Sequence, residues 1–308
     1  MDGKANLIRF RFLLAVAFGA ISIYLSLPKA GLSEELNIEE QIIQSLVFPK
    51  TRHTPLKLPS PVFVVGFPKS GTTSIWRFFH CSGIVSQHFC CCGDQSDHPP
   101  CETNTMAKCI LRNMANERPM LQGCGDYQVY AQLDGERPIY TDSQGMKGVL
   151  LNNGSLHIQP KALRGNSLLM RHFLPQHFHL DEIHQHAPNA TYVLSLRDPL
   201  VWANSAFKWF AMRGRFVNEY IAHNSSIERP GKARAVDFLA RIYQEHTDFV
   251  RDFVRKHPSH RLVEVNITAS NAGTVMANAF GLNEECWGHH NKHGNHTRLA
   301  TNVSSSID

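Results

Sequence analysis

The chain has 308 residues, of which 43% are hydrophobic and 19% are charged. This balance is typical of a folded globular protein with one large core, and it excludes a disordered chain. The formal net charge of +5 is mild, and the sequence contains no arginine-rich tract or basic run. We therefore expect an anionic ligand but no nucleic-acid partner.

An uncharged apolar run near the N-terminus, residues 12–27, predicts a membrane segment. Basic residues precede it, and a positive flank keeps the N-terminus in the cytosol. The sequence thus predicts a cytosolic tail (1–11), a transmembrane signal anchor (12–27), a stem (28–59) and a lumenal domain (60–308). A cleaved signal peptide is the alternative interpretation of the same run.

Two further features favour the secretory route. Eight cysteines occur, and seven of them lie within residues 81–124. In an oxidising lumen such clustering predicts disulfide bonds, and a zinc site of His88 with Cys90, Cys91, Cys92 and Cys101 is the alternative. Six glycosylation sequons are also present, at Asn153, Asn189, Asn224, Asn266, Asn295 and Asn302.

The regular pattern of strands and helices begins at Val62. The continuous apolar run VFVV predicts a buried parallel strand, which a glycine turn and a helix follow. The later predicted elements are a strand (192–196), a helix from Pro199 to Met212, a long helix (233–256), a strand (261–265) and a helix (273–280). Strands that alternate with helices predict an α/β domain with a central parallel sheet.

The turn after the first strand is close to a nucleotide-binding P-loop. Gly66 and Gly71 have the P-loop spacing, but Thr72 replaces the lysine that follows the second glycine in ATP enzymes. No later strand ends in an apolar run followed by the aspartate that helps to hold magnesium. Backbone N–H groups at such a turn bind anions. Because the lysine and the aspartate of ATP enzymes are missing, the loop predicts an anionic ligand with fewer phosphates than ATP and no metal.

These motifs resemble the sulfotransferases that use 3'-phosphoadenosine 5'-phosphosulfate (PAPS). The 5'-phosphosulfate loop of that family reads P-K-S-G-T-T, which residues 68–73 match at every position. Its 3'-phosphate motif is a strand that ends in arginine, with a serine eight residues later, as in Arg197 and Ser205. The resemblance covers residues 60–292. It implies a three-layer P-loop fold with a central parallel sheet, here preceded by an N-terminal membrane anchor.

The resemblance also implies roles for the matching residues. Lys69 would neutralise the charge that develops on the leaving phosphate oxygen. Arg197 would bind the 3'-phosphate as a charge-assisted fork, with Ser205 as a second donor. The C-terminal R-K-G clamp of cytosolic members is absent, and Asn291 and Lys292 are the residues that would replace it. The 5'-phosphate would be held by Lys69, Ser70, Gly71, Thr72, Thr73 and Ser74.

A base must accept the proton of the acceptor. Cytosolic members carry a histidine in the segment K-T-H-L-P, whereas the corresponding R-H-F-L-P of this chain has Phe173 at that position and His172 one residue earlier. Asp126 is the other candidate, because acidic bases serve in many carbohydrate sulfotransferases. His88 and His177 are further candidates.

Together with the sequons and the apolar run, the resemblance implies a single-pass Golgi membrane enzyme with a lumenal catalytic domain. It would move a sulfuryl group from PAPS to a hydroxyl or amine of a carbohydrate or another secretory-pathway acceptor. Glycans, lipids, tyrosine and small metabolites all remain open as acceptors. The alternative functions are a non-catalytic lumenal protein that binds a nucleotide or anion, and a P-loop kinase that uses a nucleoside triphosphate.

Overall fold

The computed structural model describes residues 55–91, 104–141, 147–152, 155–158, 170–209, 211–224 and 226–288. The predicted tail, the predicted anchor, most of the predicted stem, and the residues Asn291 and Lys292 lie outside these ranges. Within them, no helix is both long and apolar enough to cross a membrane.

The strands of the described residues, in chain order, are β1 (Val62–Val64), β2 (Ser86–His88), β3 (Val129–Gln132), β4 (Gly135–Glu136), β5 (Ile139–Thr141), β6 (Lys147–Leu150), β7 (Leu156–Ile158), β8 (His172–Phe173), β9 (Thr191–Leu196) and β10 (Arg261–Asn266). The α-helices are α1 (Thr72–Cys81), α2 (Met106–Ala115), α3 (Pro175–Phe178), α4 (Leu180–His186), α5 (Pro199–Lys208), α6 (Met212–His223), α7 (Ala235–Lys256) and α8 (Ala272–Phe280).

A five-stranded parallel sheet forms the centre of the fold, in the order β10-β9-β1-β3-β2. Side chains alternate between its faces. Val62 and Val64 point to the side where α1 and α8 pack, whereas Phe63 and Val65 point to the side covered by α2, α4 and α7. The predicted α/β fold with a central parallel sheet is therefore confirmed.

The sheet explains why β1 and the middle of β9 are apolar. Val62, Phe63 and Val64 are all buried, and Tyr192, Val193 and Leu194 of the neighbouring strand are buried as well. A strand that is covered on both faces has no solvent side, so it contains no alternating polar positions. Leu56 and Leu58 pack against the edge of the same core.

Two small antiparallel sheets lie outside the central one. β4 pairs with β8, and β5, β6 and β7 form a meander. A third apolar cluster surrounds Phe67, beneath α5, α6 and α7. The rings of Trp202, Phe216, Tyr243 and His246 lie around the Phe67 ring at centroid distances of 4.0–6.3 Å, and His246 stacks on it.

The predicted helix from Pro199 to Met212 is wrong after Lys208. Helix α5 ends at Lys208, and α6 begins at Met212 after Ala211 adopts a φ of +52°. A positive φ interrupts helical hydrogen bonding, so the chain turns here. The turn leaves the indole of Trp209 43% exposed between the two helices.

Disulfide bonds close one long loop and one short loop of the described chain. Cys81 at the end of α1 is bonded to Cys286, and Cys109 on α2 is bonded to Cys124. Cys90 and Cys91 are also half-cystines. The predicted disulfide bonding is confirmed, and the alternative zinc site is wrong for Cys90 and Cys91, because zinc is bound by free thiolates.

Candidate active site

The predicted anion-binding residues meet at the edge of the sheet where the parallel strands end. Lys69 follows β1 and Arg197 follows β9, and these strands are neighbours. Arg197 Nη1 donates a hydrogen bond to the backbone carbonyl of Lys69 at 3.2 Å. In open α/β sheets this carboxyl edge is where ligands bind.

The loop between β1 and α1 is held in a narrow turn. Lys69 and Gly71 have φ values of +69° and +97°. The Ser70 hydroxyl donates to the Phe67 carbonyl and lies 2.5 Å from the Ser195 hydroxyl, which is therefore the donor in that second contact. The Ser70 N–H also donates to the Phe67 carbonyl. The hydroxyl and the backbone N–H of Ser70 thus both stabilise the loop conformation.

Gly66 allows this close approach between the loop and β9. A Cβ at position 66 would lie 1.9 Å from Ser195 Oγ and 2.8 Å from Ser70 Oγ, distances that real atoms do not adopt. On the other side of the loop, the Trp202 indole N–H donates to the Pro68 carbonyl at 2.9 Å. Contacts from β9 and α5 therefore fix the loop conformation.

Helix α1 begins at Thr72, directly after the loop. Its N-cap residue, Gly71, has no side chain to cap the helix start. The first-turn N–H groups and the helix dipole therefore create a positive potential beside Lys69. Such a helix N-terminus next to a glycine turn is suited to bind a phosphate or sulfate group.

The two cations of the site lie close together. The Lys69 side chain is half-buried, and its Nζ lies 4.8 Å from the ring centre of Trp209. Burial and the neighbouring Arg197 charge lower the pKa of Lys69. Arg197 Nε is buried and has no hydrogen-bond partner among the described residues. An unsatisfied guanidinium donor next to a second cation fits a bound anion.

Ser205 and the other hydroxyl residues take different positions around this pair. Ser205 is half-buried on α5, the helix that begins two residues after Arg197. Thr72 Oγ1 lies 3.1 Å from His88 Nε2 at the end of β2, and Thr73 Oγ1 lies 3.5 Å from the same nitrogen. Ser74 is buried in the first turn of α1.

Two histidines lie at the same edge of the sheet. Burial lowers the pKa of His88 to about 4, against an opposing effect of Asp134. His172 is buried on β8, where its Nε2 lies 2.8 Å from Asp134 Oδ2. The Nδ1 of His172 is buried without a hydrogen-bond partner in the described part of the chain. Gln176 donates to the other oxygen of Asp134 at 3.1 Å, so this carboxylate links three elements.

The structure does not bring Asp126 to the site. Asp126 is exposed and precedes β3, which runs parallel to β1. It therefore lies at the amino edge of the sheet, opposite the edge that carries Lys69. His177 packs in the aromatic cluster against Phe67 and Tyr220.

The family comparison agrees with this geometry. A model of the sulfotransferase family matches residues 61–268, which include both anion-binding segments. The chain belongs to the sulfotransferase family. Membership in this family implies a transferase that moves a sulfuryl group from a donor to an acceptor. Searches among curated proteins and among solved structures found no match.

Three residues at the site of this sulfotransferase were missed by sequence reasoning. Asp134 lies two residues after β3, a strand that the sequence did not predict. Trp209 falls inside a segment that was predicted to be continuous helix. Arg215 follows it on α6, with its guanidinium carbon 6.0 Å from the Trp209 ring centre. Only the strand-like run V-Y-A before Asp134 could have indicated one of them.

Proposed function

We propose that this chain is a PAPS-dependent sulfotransferase that acts on a hydroxyl or amine of its acceptor. The observation that carries the proposal is the contact between Lys69 and Arg197, whose guanidinium Nε is buried with no hydrogen-bond partner among the described residues. The two residues come from the two motifs that resemble the 5'-phosphosulfate and 3'-phosphate segments of PAPS enzymes. A donor with an anionic group at each end would engage both.

The reaction breaks the bond between sulfur and the bridging phosphate oxygen and forms a bond from sulfur to the acceptor oxygen or nitrogen. Negative charge develops on the bridging oxygen, and 3',5'-ADP leaves. Lys69 is the cation for that charge, aided by the N-terminal amides of α1. Arg197 and Ser205 hold the 3'-phosphate, whose charge does not change during the transfer. No metal is required by these roles, and its absence from the reaction stays a prediction.

We propose His88 as the base that accepts the acceptor's proton. It is half-buried beside Thr72 and Thr73, whereas His172 is 3% exposed and its Nε2 is engaged by Asp134. Because burial lowers the pKa of His88 to about 4, its ring is neutral and able to accept a proton near pH 7. His172 would position Asp134 near this ring. Asp126 would need to cross the sheet to take part.

We further propose that the enzyme works in the Golgi lumen, tethered by residues 12–27 through the stem. The sequon asparagines within the described residues, Asn189, Asn224 and Asn266, are all exposed. The disulfide bonds of the described cysteines suit an oxidising compartment. A glycosidase-dependent mobility shift of the expressed protein would support this location, and an unmodified, reduced cytosolic product would contradict it.

Calorimetry of the full-length protein tests the donor assignment. We expect 3',5'-ADP to bind without magnesium and ATP to bind poorly, because the loop lacks the lysine that reaches terminal phosphates in ATP enzymes. Tight, magnesium-dependent ATP binding would instead support the kinase alternative. Transfer of labelled sulfate from PAPS to any acceptor would exclude the non-catalytic alternative, and 3',5'-ADP binding with no transfer across a broad acceptor panel would favour it.

A further inference from the structure

A second cationic site lies beside the proposed donor site. It is a cavity of about 350 Å³ whose charged wall consists of Lys108, Arg137, Arg171, Arg215 and Glu136. We call this cavity the arginine pocket. None of its residues belongs to the donor motifs, and sequence reasoning gave no role to any of them.

Trp209 connects the arginine pocket to the sulfuryl-transfer site. Lys69 Nζ lies 4.8 Å from the ring centre of this indole, and the guanidinium carbon of Arg215 lies 6.0 Å from it. Both cations contact one ring that is 43% exposed. A molecule seated in the pocket and against Trp209 would therefore lie close to Lys69, the residue proposed to act at the transferred sulfuryl group.

Positive charge is in excess in the pocket. Four cationic side chains line it. Among the described residues, the carboxylates paired with them are Glu219 and Glu136, and Asp134 interacts electrostatically with Arg215. Glu219 is fully buried and holds Arg137 and Arg171 at 2.7 and 2.8 Å. Burial opposes the charge of Glu219, but these two arginines outweigh it and lower its pKa. One carboxylate thus fixes two guanidinium groups and neutralises only one of their charges.

The ion pair between Arg215 and Glu136 can be replaced by one between Arg215 and a ligand anion. Arg215 is 3% exposed and pairs with Glu136, whose side chain is 61% exposed. Because the Glu136 carboxylate is largely solvated, an incoming anion can replace it on Arg215 while Glu136 returns to water, so that no buried charge is left unpaired. Arg215 Nε is buried and has no hydrogen-bond partner among the described residues. This combination of a buried donor and a displaceable carboxylate is suited to a ligand carboxylate or sulfate.

We propose that the arginine pocket binds a carboxylate or sulfate group on the acceptor, and that the acceptor is an acidic saccharide. This inference rests on the proposed function. The exposed indole of Trp209 offers a flat apolar face next to charged donors, which suits a ring with one apolar face and polar edges. An extended peptide fits less well, because the Arg137 N–H already donates to the Arg171 carbonyl at 3.0 Å as part of the β4–β8 pairing.

The test uses the full-length protein with labelled PAPS and three acceptors: a uronic-acid oligosaccharide, the same oligosaccharide with its carboxylates converted to neutral amides, and an acidic tyrosine peptide. Sulfation of the first with a KM about tenfold or more below that of the second supports the proposal. Equal use of the first two overturns it, as does sulfation of the peptide alone or of none of the three.

Two substitutions that change the charge of the pocket in opposite directions test the pocket itself. Lys108→Gln should raise the KM for the uronic-acid oligosaccharide about tenfold, and Glu136→Gln should lower it, because Glu136 competes with the ligand for Arg215. Both variants should keep the wild-type kcat. Arg241→Gln, on an exposed arginine of α7 outside the pocket, should change neither constant. Unchanged KM in both pocket variants would show that the cluster is only structural and would overturn the proposal.

Calorimetry separates this inference from the donor assignment. Direct binding of the uronic-acid oligosaccharide should weaken about tenfold in Lys108→Gln, whether or not donor is present. Binding of 3',5'-ADP should be the same in both pocket variants. If the wild-type protein did not bind 3',5'-ADP, the proposed function would be refuted. If the substitutions left oligosaccharide affinity unchanged, the role of the arginine pocket in acceptor binding would be refuted.

Discussion

The guanidinium of Arg197 donates a hydrogen bond to the backbone carbonyl of Lys69, so the two motifs of the site contact each other directly. The contact joins the ends of neighbouring strands β1 and β9. It places the side chains that we propose bind the two ends of the donor at the same edge of the central sheet. The roles proposed for these two cations nevertheless differ, because only Lys69 would face a charge that changes during the reaction.

Lys69→Ala should mainly lower kcat, and Arg197→Ala should mainly raise the KM for PAPS. Loss of a preorganised contact to developing charge commonly lowers kcat by about 100- to 1,000-fold. The 3'-phosphate has the same charge before and after transfer, so its partner contributes to uniform binding. Steady-state kinetics at saturating acceptor measure both constants, with Lys208→Ala at the exposed end of α5 as the control. Near-normal kcat in Lys69→Ala would contradict the assignment.

Gly66→Ala should disrupt the loop, because its Cβ would lie 1.9 Å from Ser195 Oγ. We expect a lower melting temperature and weaker 3',5'-ADP binding. The double variant Gly66→Ala/Ser195→Ala should recover part of both, since it removes the closest atom. Gly214→Ala is the matched control: its Cβ meets nothing within 4 Å, and alanine within a helix is favourable. A double variant no better than the single one would mean that the clash lies elsewhere.

His88→Gln should lower kcat by about 100-fold or more, the usual contribution of a positioned base, with 3',5'-ADP binding unchanged. Because the pKa of His88 is about 4, the base is neutral above that pH, and its protonation should reduce kcat only as the pH approaches 4. His172→Gln should instead destabilise the fold through loss of the Asp134 contact and leave kcat largely intact. If His172→Gln abolished turnover in a stably folded protein, His172 would be the base.

Acid should destabilise the protein through its buried histidines. Burial lowers the pKa of His177 to about 2, with a further effect of His246, and burial lowers the pKa of His246 to about 4. Both are neutral in the fold, whereas the unfolded chain takes up protons below pH 6.5. Their stabilising effect is therefore complete above pH 6.5 and is lost as the pH falls from 6.5 toward 4.

The measurement is urea unfolding between pH 7.5 and 5. Each proton taken up on unfolding changes the free energy of unfolding by about 1.4 kcal/mol per pH unit. His246→Gln should make this dependence shallower, because glutamine does not titrate and its amide can still donate to the Val65 carbonyl, 2.7 Å from His246 Nε2. An unchanged slope in this variant would remove His246 from the explanation.

The two described disulfide pairs should differ in their effect on stability. Cys109 and Cys124 are 15 residues apart, whereas Cys81 and Cys286 are 205 residues apart. Loop entropy gives about 3 kcal/mol for a 15-residue loop and about 4.7 kcal/mol for a 100-residue loop. Replacing Cys81 and Cys286 by alanine should thus cost more free energy of unfolding than replacing the other pair. The reverse order in urea unfolding would show that strain or packing outweighs chain entropy.

The sequence predicted β1, β9 and β10 because each is rich in apolar and β-branched residues and ends at a recognisable turn. It did not predict β2 or β3, whose sequences SQH and VYAQ are short and partly polar. Their pairing depends on a neighbouring strand instead of on local propensity. The ends of the remaining predicted strands and helices agree within two residues, apart from the helix break after Lys208.

The same distinction holds for the site. Lys69 and Arg197 were predicted because each belongs to a local motif at the end of an apolar strand. The contact between His172 and Asp134 was not predicted, because the pairing of β4 with β8 brings these two residues together. Asp126 has the right chemistry for a base but lies at the other edge of the sheet, and no local pattern indicates the edge to which a loop belongs.

The break between α5 and α6 separates the donor-side residues, where substitutions would disturb the loop, from residues where substitutions could alter acceptor binding. The donor-side residues lie at the end of the sheet, where packing around Gly66 and Ser195 permits little variation. Trp209 and Arg215 lie at and after the break, outside that constraint. A few substitutions or an insertion around Ala211 could therefore redirect the enzyme to a different acceptor while the chemistry at Lys69 stayed the same. Among related chains, we expect the length and composition of this segment to diverge with acceptor class.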